Sequence, residues 1–485
     1  MQSIAAANYQ PLNVVTKSTG TTRYPLLGIL SSMLGTVTAV NLIPADPEPN
    51  WALLPSAAAM AIGFAIAPLA AAIRDPKSLL RGEHLLALSP IYWLLLDLLQ
   101  GAYPMTDMKP EHISTAFYCI GLFVTAVWVA SLGRQWQVHN SIIRSVSHDF
   151  SANTYFALTA AAFFIGMLKF AVPSDFNVIE MFSYVGQGRW AGPWARGQLG
   201  GWDAFLDQLQ YFGYLLPALT VIVASRAGWL HWQTLTSAVM SVIMAIFLAQ
   251  SGSRRVIGVV FGMAFILWVL SQQRLRVKHM VVTAIGVVAL LAVLQIMVEY
   301  RNVGLGEIVE DRQQGLMMER NYLHVDDNIY RLCQIIELIP ERFPYVYHKY
   351  VFWVFVRPIP RVIWPNKPLD PGFDLPTAVG VEGVSFSSSV IGELYMSLGW
   401  IGVLLGGLFY GRLAGMANGL LTQSVTFSSL VIYSTMMMAL FTGMRSMLEL
   451  VLVSYVVLAW VGLSWIFTRL YGRKTTPATG GLGNV

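Results

Sequence analysis

Charge is what this chain has least of. Of its 485 residues 12% are charged, against roughly 25% in an average soluble domain. Hydrophobic residues make up 55% and fall in long blocks, so the expected solvent is a bilayer. Cysteine is nearly missing. The two that occur, Cys119 and Cys333, fall in different surroundings, which excludes a disulfide framework and gives no support to a cysteine metal site. Basic clusters are also lacking: the 31 Lys and Arg residues are scattered, which argues against a nucleic-acid partner. The first 24 residues are polar and have no apolar core of the signal-peptide kind, so a cleaved leader is not expected. No internal repeat is visible, and the "TTPATGGLGN" tail reads as disordered.

What is there is a series of apolar segments. A spanning helix needs about 20 mostly apolar residues, and twelve segments qualify: 26–43, 51–73, 84–103, 112–132, 153–172, 204–225, 229–249, 256–271, 279–298, 389–411, 425–444 and 448–468. The fold class expected is therefore an all-α polytopic integral membrane protein with about twelve transmembrane helices. With the N-terminus inside, the short cytoplasmic segments and both tails hold 15 Lys and Arg, and the short outer loops hold 7. The positive-inside bias then puts both termini in the cytoplasm. The chain divides into a cytoplasmic tail at 1–24, nine spans over 25–298, a large periplasmic loop at 299–388, three spans over 389–470, and a disordered cytoplasmic tail at 471–485.

A loop of 90 residues is far longer than an ordinary connection and is either functional or disordered. This one is not composed like a disordered segment. "DDNIYRLCQIIELIPERFP" has an aspartate cap at Asp326 or Asp327, then apolar residues at Ile329, Leu332, Cys333, Ile336 and Ile339, which is helical spacing ended by Pro340. "YVFWVFV" at 350–356 is too short to span and reads as re-entrant or interfacial. "RPIPRVIWPNKP" follows. Its prolines exclude regular helix, and such backbone sits at membrane depth only where protein or a wet cavity surrounds it. The segment reads as a stiff wall that aims Arg357, Arg361 and Lys367, beside Trp364.

Arginine on the outer rim runs against the charge bias, so each one asks for a reason. The candidates are Arg189 and Arg196 in the third outer loop, Arg254 and Arg255 in the fourth, Arg301, Arg357 and Arg361 in the fifth, and Arg445 in the sixth. The plain reading is snorkelling or ion pairing. The sharper one is a cluster converging on an anionic ligand, since a guanidinium fork presents paired donors and stays charged. Among acids, Glu393 lies at the outer end of a span and is a candidate base, with pairing to Arg445 as the alternative; His348 is a second candidate base. Asp326 and Asp327 read as a helix cap before a metal site. Asp97, Asp207 and Glu449 are further embedded charges able to line a cavity. Asp207 and the tryptophans 190, 194 and 202 are placed to contact sugar, or to form an interfacial aromatic belt.

The order of these features resembles the oligosaccharide repeat-unit polymerases, the Wzy-type O-antigen polymerases. "SGSRR" (251–255) follows a mid-chain span. The large outer loop comes next, then "RPIPRVIWPNKP" (357–368) and "FSSSVIGELYMSLGWIGVLLGG" (386–407), so the resemblance covers roughly 250–410. Arg189…Gly200 and Arg361…Gly372 fit the Arg-x10-Gly spacing described for some members in the third and fifth outer loops. The resemblance implies a GT-C-like architecture in the bacterial inner membrane and an active site facing the periplasm, for O-antigen, lipopolysaccharide or exopolysaccharide biosynthesis. It implies a metal-independent glycosyltransferase without cofactor, acting on undecaprenyl-pyrophosphate-linked oligosaccharides among membrane lipids, and leaves room for a chain-length regulator as partner. Pyrophosphate contacts would then fall to Arg254, Arg255, Arg301, Arg357, Arg361 and Arg445. Sugar contacts would fall to Arg189, Arg196, Asp207, Trp364 and Lys367, and base catalysis to Glu393 or His348. An O-antigen ligase shares the donor and the fold logic. A lipid-linked oligosaccharide flippase or secondary transporter is the third reading, although no repeated halves are visible.

Overall fold

A computed structural model describes residues 23–470, except 134–135, 140–142, 144–145, 147, 196–198, 200, 251, 273, 301–321, 324, 369, 382–384 and 424–425. Helix accounts for 74% of the described residues, and no strand occurs among them. In chain order the helices are α1 (Arg23–Asn41), α2 (Leu54–Arg74), α3 (Gly82–Pro90), α4 (Leu96–Leu99), α5 (Pro110–Leu132), α6 (Ala152–Ala171) and α7 (Val178–Ser183). There follow α8 (Leu206–Tyr214), α9 (Leu216–Ala227), α10 (Trp232–Gln250), α11 (Arg254–Ser271) and α12 (Val277–Tyr300). The last six are α13 (Asn328–Leu338), α14 (His348–Val356), α15 (Leu375–Ala378), α16 (Ser389–Gln423), α17 (Phe427–Gly443) and α18 (Met447–Leu470).

Each of the twelve apolar segments coincides with helix. Among the described residues, nine helices are long and apolar enough to cross a membrane. The other three segments are shorter or broken. One is the 17-residue α17. Another is α3 and α4, joined through a turn of π-helix at Ile91–Leu95 that follows Pro90. The third is α8 and α9, which meet at Leu215 just before Pro217. Proline removes a backbone donor and clashes with the preceding turn, which is why both breaks sit where they do.

The connections gather alternately at two ends of the bundle. At one end Asn50 Nδ2 donates to the Gly101 carbonyl (3.2 Å), Gln100 exchanges two hydrogen bonds with Leu323 (3.2 and 2.8 Å), and Tyr330 Oη donates to the Thr106 carbonyl (3.2 Å). At the other end Lys77 Nζ caps the C-terminus of α11 by donating to the carbonyls of Leu270 (3.4 Å) and Gln272, Arg226 pairs with Asp149, and Ser428 Oγ donates to the Val146 carbonyl (2.6 Å). Burial, only partly offset by Asp75, lowers the Lys77 pKa. The long-loop segment 322–388 lies at the first end.

Small residues set the helix crossings, as expected where lipid tails leave no hydrophobic drive between helices. A β-carbon added to Gly35 of α1 would stand 2.8 Å from the Gly63 Cα of α2. In α16, Gly407 and Gly411 lie one turn apart on the backbone of α5. Added β-carbons would fall 2.6 Å from the Phe123 carbonyl oxygen and 2.7 Å from that of Val127. α17 is buried nearly all round, which marks it as the centre of the bundle. By contrast, no residue of the apolar window of α12 is buried.

Two sequence expectations change here. The segment 389–411 is not one straight span. At Leu398 (φ −146°, ψ 20°) and Gly399 (φ 59°, ψ −140°) α16 leaves helical geometry, and the chain doubles back. A β-carbon on Gly402 would lie 2.2 Å from the Leu394 carbonyl oxygen, a close approach impossible eight residues along a straight helix. The bend is held by the amides of Val346 and Tyr347, which donate to the carbonyls of Met396 and Ser397 (both 2.9 Å). So 389–397 is a short limb with Ser389, Val390, Ile391 and Glu393 buried, and 400–423 is the length that can span. The second change concerns the cap of α13. Asp327 precedes the helix, but its backbone is left-handed (φ 53°) and its side chain makes no cap hydrogen bond; an N-cap needs extended backbone to aim its oxygen at the first turn.

Close packing at Gly407 gives a direct test. Gly407→Leu is expected to cost about 1–3 kcal/mol through overpacking against α5, read as a lower Tm of the purified protein in detergent. Gly462→Leu, where an added β-carbon meets nothing within 4 Å, should leave Tm unchanged.

Candidate functional site

The doubled-back limb of α16 is zipped to the turn between α17 and α18. The Val390 amide donates to the Met444 carbonyl (3.0 Å), Ser387 Oγ to the Arg445 carbonyl (3.3 Å), and the Met447 amide to Glu393 Oε2 (2.6 Å). The side chains of Tyr350 and Ser446 also hydrogen-bond to the Glu393 carboxylate. Glu393 therefore sits on a short limb folded against the start of α18. The alternative of a rim pair with Arg445 is not what forms: Arg445 turns to Asp326.

That second contact organises the site. Asp326 offers one carboxylate oxygen to each of two arginines. Oδ1 lies 2.9 Å from Arg254 Nη2 at the start of α11, and Oδ2 lies 2.6 Å from Arg445 Nε. Burial works against the charge of Arg445, but Asp326 and Glu449 outweigh it and its pKa moves up. Next to this bridge Arg255 pairs with Glu449 of α18. Asp326 is held in place from both sides. Gln100 grips Leu323, and Asn328 Nδ2 donates to the Trp93 carbonyl (2.8 Å). Trp93 in turn donates to the Phe441 carbonyl (2.8 Å), in the last turn of α17.

These groups stand at one end of a cavity of about 2410 Å³, well above the roughly 300–1,000 Å³ of ordinary ligand pockets. Its charged end is lined by Lys169, Arg189, Asp207, Arg254, Arg255, Asp326, Arg357, Asp370, Asp374, Glu393, Arg445 and Glu449. The rest is apolar and runs along α11 and α12, past Phe261, Phe265 and Leu290, to Trp268, Gln272 and His279 at the opposite end of the bundle. Eighteen residues of α11 correspond to about 27 Å of length. Along this wall α12 meets the bundle through Leu290, Leu294 and Met297, and no residue of its apolar window is buried.

Of the residues singled out by sequence, Arg189, Asp207, Arg254, Arg255, Arg357, Glu393 and Arg445 meet on this cavity. Arg189 lies over the Trp190 ring (4.4 Å) and Arg357 over the Trp353 ring (4.4 Å). Asp207 is paired with Lys169 (3.0 Å), so its carboxylate is committed in part to a cation. Arg361, Trp364, Lys367 and His348 do not line it. Arg361 Nη1 donates to the carbonyls of Pro365 (2.9 Å) and Lys367 (3.4 Å), and Lys367 Nζ to those of Arg357 (2.7 Å) and Ile359 (2.5 Å). Burial, then the neighbouring Arg361 and Arg357, lower the Lys367 pKa. In the proline-rich stretch these two cations tie the loop to itself, and only Arg357 reaches the cavity. Arg196 and Arg301 lie outside the described residues.

Three further residues on the cavity are not singled out for it by the sequence, Lys169, Gln250 and Asp326. For Lys169 the available signal is an ionisable group near the end of an apolar helix. Gln250 accepts from Trp194 Nε1 (3.0 Å) and donates to the Gly188 carbonyl (3.3 Å), fixing that segment beside Arg189. It had no signal beyond its place next to "SGSRR". Asp326 was masked by its resemblance to a cap. Trp190 and Trp194 both line the cavity, Trp194 nearly buried at 3% exposure with its Nε1 on Gln250, while Trp202, stacked on Phe205, does not line it. Among the described residues no group of three or more His, Cys, Asp or Glu side chains could hold a metal ion.

Comparison with protein-family models, curated proteins and solved structures finds no match to this chain.

The arrangement can hold a polyanion at its charged end while an apolar tail occupies the groove. In the state described, Arg254, Arg255 and Arg445 are balanced by carboxylates. Breaking one such pair leaves a half-buried charge uncompensated. Glu449→Gln is expected to lower stability by about 1–3 kcal/mol, seen as a lower Tm, and Arg255→Met in the same chain should recover most of it. Additive losses in the double variant would show that the pair is not coupled.

Proposed function

We propose that the chain is a membrane glycosyltransferase that polymerises oligosaccharide repeat units carried on undecaprenyl pyrophosphate. In this reading the long-loop end faces the periplasm, the opposite end and both termini face the cytoplasm, and the membrane is the bacterial inner membrane. The observation that carries the proposal is the pairing, in one cavity, of an arginine-rich end with a long apolar wall formed by α11 and α12. A lipid pyrophosphate has the same two-part chemistry.

Transfer needs two things of the protein. The leaving pyrophosphate gains charge as the glycosidic bond breaks, and fixed guanidinium donors in a water-poor site stabilise it. Arg254, Arg255, Arg357 and Arg445 are placed for that. The attacking sugar hydroxyl must lose a proton to a positioned base. Of the carboxylates on the cavity, Asp370 and Asp374 are exposed, whereas Glu393 is buried and takes hydrogen bonds from the Met447 amide, Tyr350 and Ser446 without forming an ion pair with an arginine. Its sugar-side neighbours would be Arg189, Lys169 and Asp207. The new glycosidic oxygen comes from the acceptor hydroxyl, its proton goes to Glu393, and the lipid pyrophosphate leaves with the bonding electrons.

The test is chain growth by the purified protein given its lipid-pyrophosphate repeat unit. Glu393→Gln keeps an acceptor for the Met447 amide, so it should fold and bind while chain growth falls about a hundredfold or more. Arg254→Ala should lose a comparable factor. Wild-type rates in both folded variants would remove the proposed roles. Transfer of the glycan to a different acceptor would point to a ligase, and passage of the lipid across a vesicle without chain growth to a flippase.

A further inference from the structure

The bridge Arg254–Asp326–Arg445 is built like a bound anion. Two oxygens of one carboxylate serve two arginines on different elements, at 2.9 and 2.6 Å, as two phosphate oxygens would. The carboxylate faces the cavity. Its backbone is unusual: Asp326 (φ 80°) and Asp327 (φ 53°) are consecutive non-glycine residues in the left-handed region, a conformation that persists only where surrounding contacts enforce it. The clamps at Leu323 and Asn328 supply that enforcement. The chain thus goes out of its way to seat a carboxylate between two cavity arginines.

We infer that Asp326 is a resident stand-in for the pyrophosphate and sets the anion specificity of the site; the inference rests on the pyrophosphate reading above. In the proposed function lipid lies beside the cavity along α12, and an unfilled arginine cluster there would take up any monoanionic headgroup. With Asp326 in place, a ligand must displace a carboxylate that already holds both guanidiniums. A singly charged phosphodiester exchanges one negative charge for another and gains little. A pyrophosphate diester brings two negative charges and more acceptor oxygens, and so outcompetes the carboxylate. Asp326 turns aside as the substrate enters and returns as it leaves.

The test is calorimetric titration of the full-length protein in nanodiscs with inorganic pyrophosphate and with inorganic phosphate, the latter at a pH where it is mainly monoanionic. Wild type should prefer pyrophosphate strongly. Asp326→Asn should bind phosphate on the order of tenfold more tightly, with a smaller gain for pyrophosphate, so the ratio between the two narrows. Unchanged or weaker phosphate binding by a folded Asp326→Asn variant overturns the inference and leaves the anion site standing. Wild type that binds neither anion overturns both the inference and the pyrophosphate reading. If the variant does not fold, amide exchange of wild type decides: pyrophosphate should raise exchange across 322–328, and unchanged or slowed exchange there with pyrophosphate bound contradicts displacement of Asp326.

Discussion

A charge inside a lipid-solvated bundle must find a partner or a wet cavity, and the site depends on that constraint. An arginine at the end of an apolar helix has little water to turn to. Arg254 and Arg445 share Asp326, and Arg255 takes Glu449. These pairs join α11, the α17–α18 turn and the segment before α13, three pieces far apart in sequence. The polar groups that give the cavity its chemistry are the same ones that hold its charged end together. In the proposed function, substrate binding is then an exchange of ion pairs, in which an incoming anion replaces contacts that already exist.

The apolar framework serves this end by leaving room. Glycines at the α1–α2 and α5–α16 crossings bring backbones into contact, and α17 is buried throughout. Tight packing on that side contrasts with α12, whose apolar window has no buried residue. Lipid reaches the cavity along that helix in the proposed function. The bend at Leu398 and Gly399 has a related consequence. It takes Glu393 off the spanning helix and sets it against the Met447 amide, so a carboxylate faces the cavity without an arginine holding it.

The sequence shows its spans well and its site in part. Twelve apolar blocks translate into helices because length and composition alone decide whether a segment can sit in lipid. Arg254, Arg255, Arg357 and Arg445 were visible because arginine on an outer rim is out of place by charge rules. What stays hidden is set by contacts between distant segments. Nothing local distinguishes Arg357, which lines the cavity, from Arg361, which ties the loop to itself through Pro365 and Lys367. The fold-back at Gly399 looks like one more glycine in an apolar run. Asp326 looks like a cap because the residues after it form a helix, and only the left-handed backbone at Asp326 and Asp327 shows that its carboxylate is turned elsewhere.

The central claim is that one cavity holds both parts of a lipid pyrophosphate. A structure of the protein in a lipid bilayer, with an undecaprenyl-pyrophosphate-linked oligosaccharide bound, tests it most directly. The account predicts the two phosphates among Arg254, Arg255 and Arg445, the polyprenyl chain in the groove between α11 and α12, and the sugar toward Glu393. Density for the pyrophosphate elsewhere, with Asp326 still bridging Arg254 and Arg445, would contradict it.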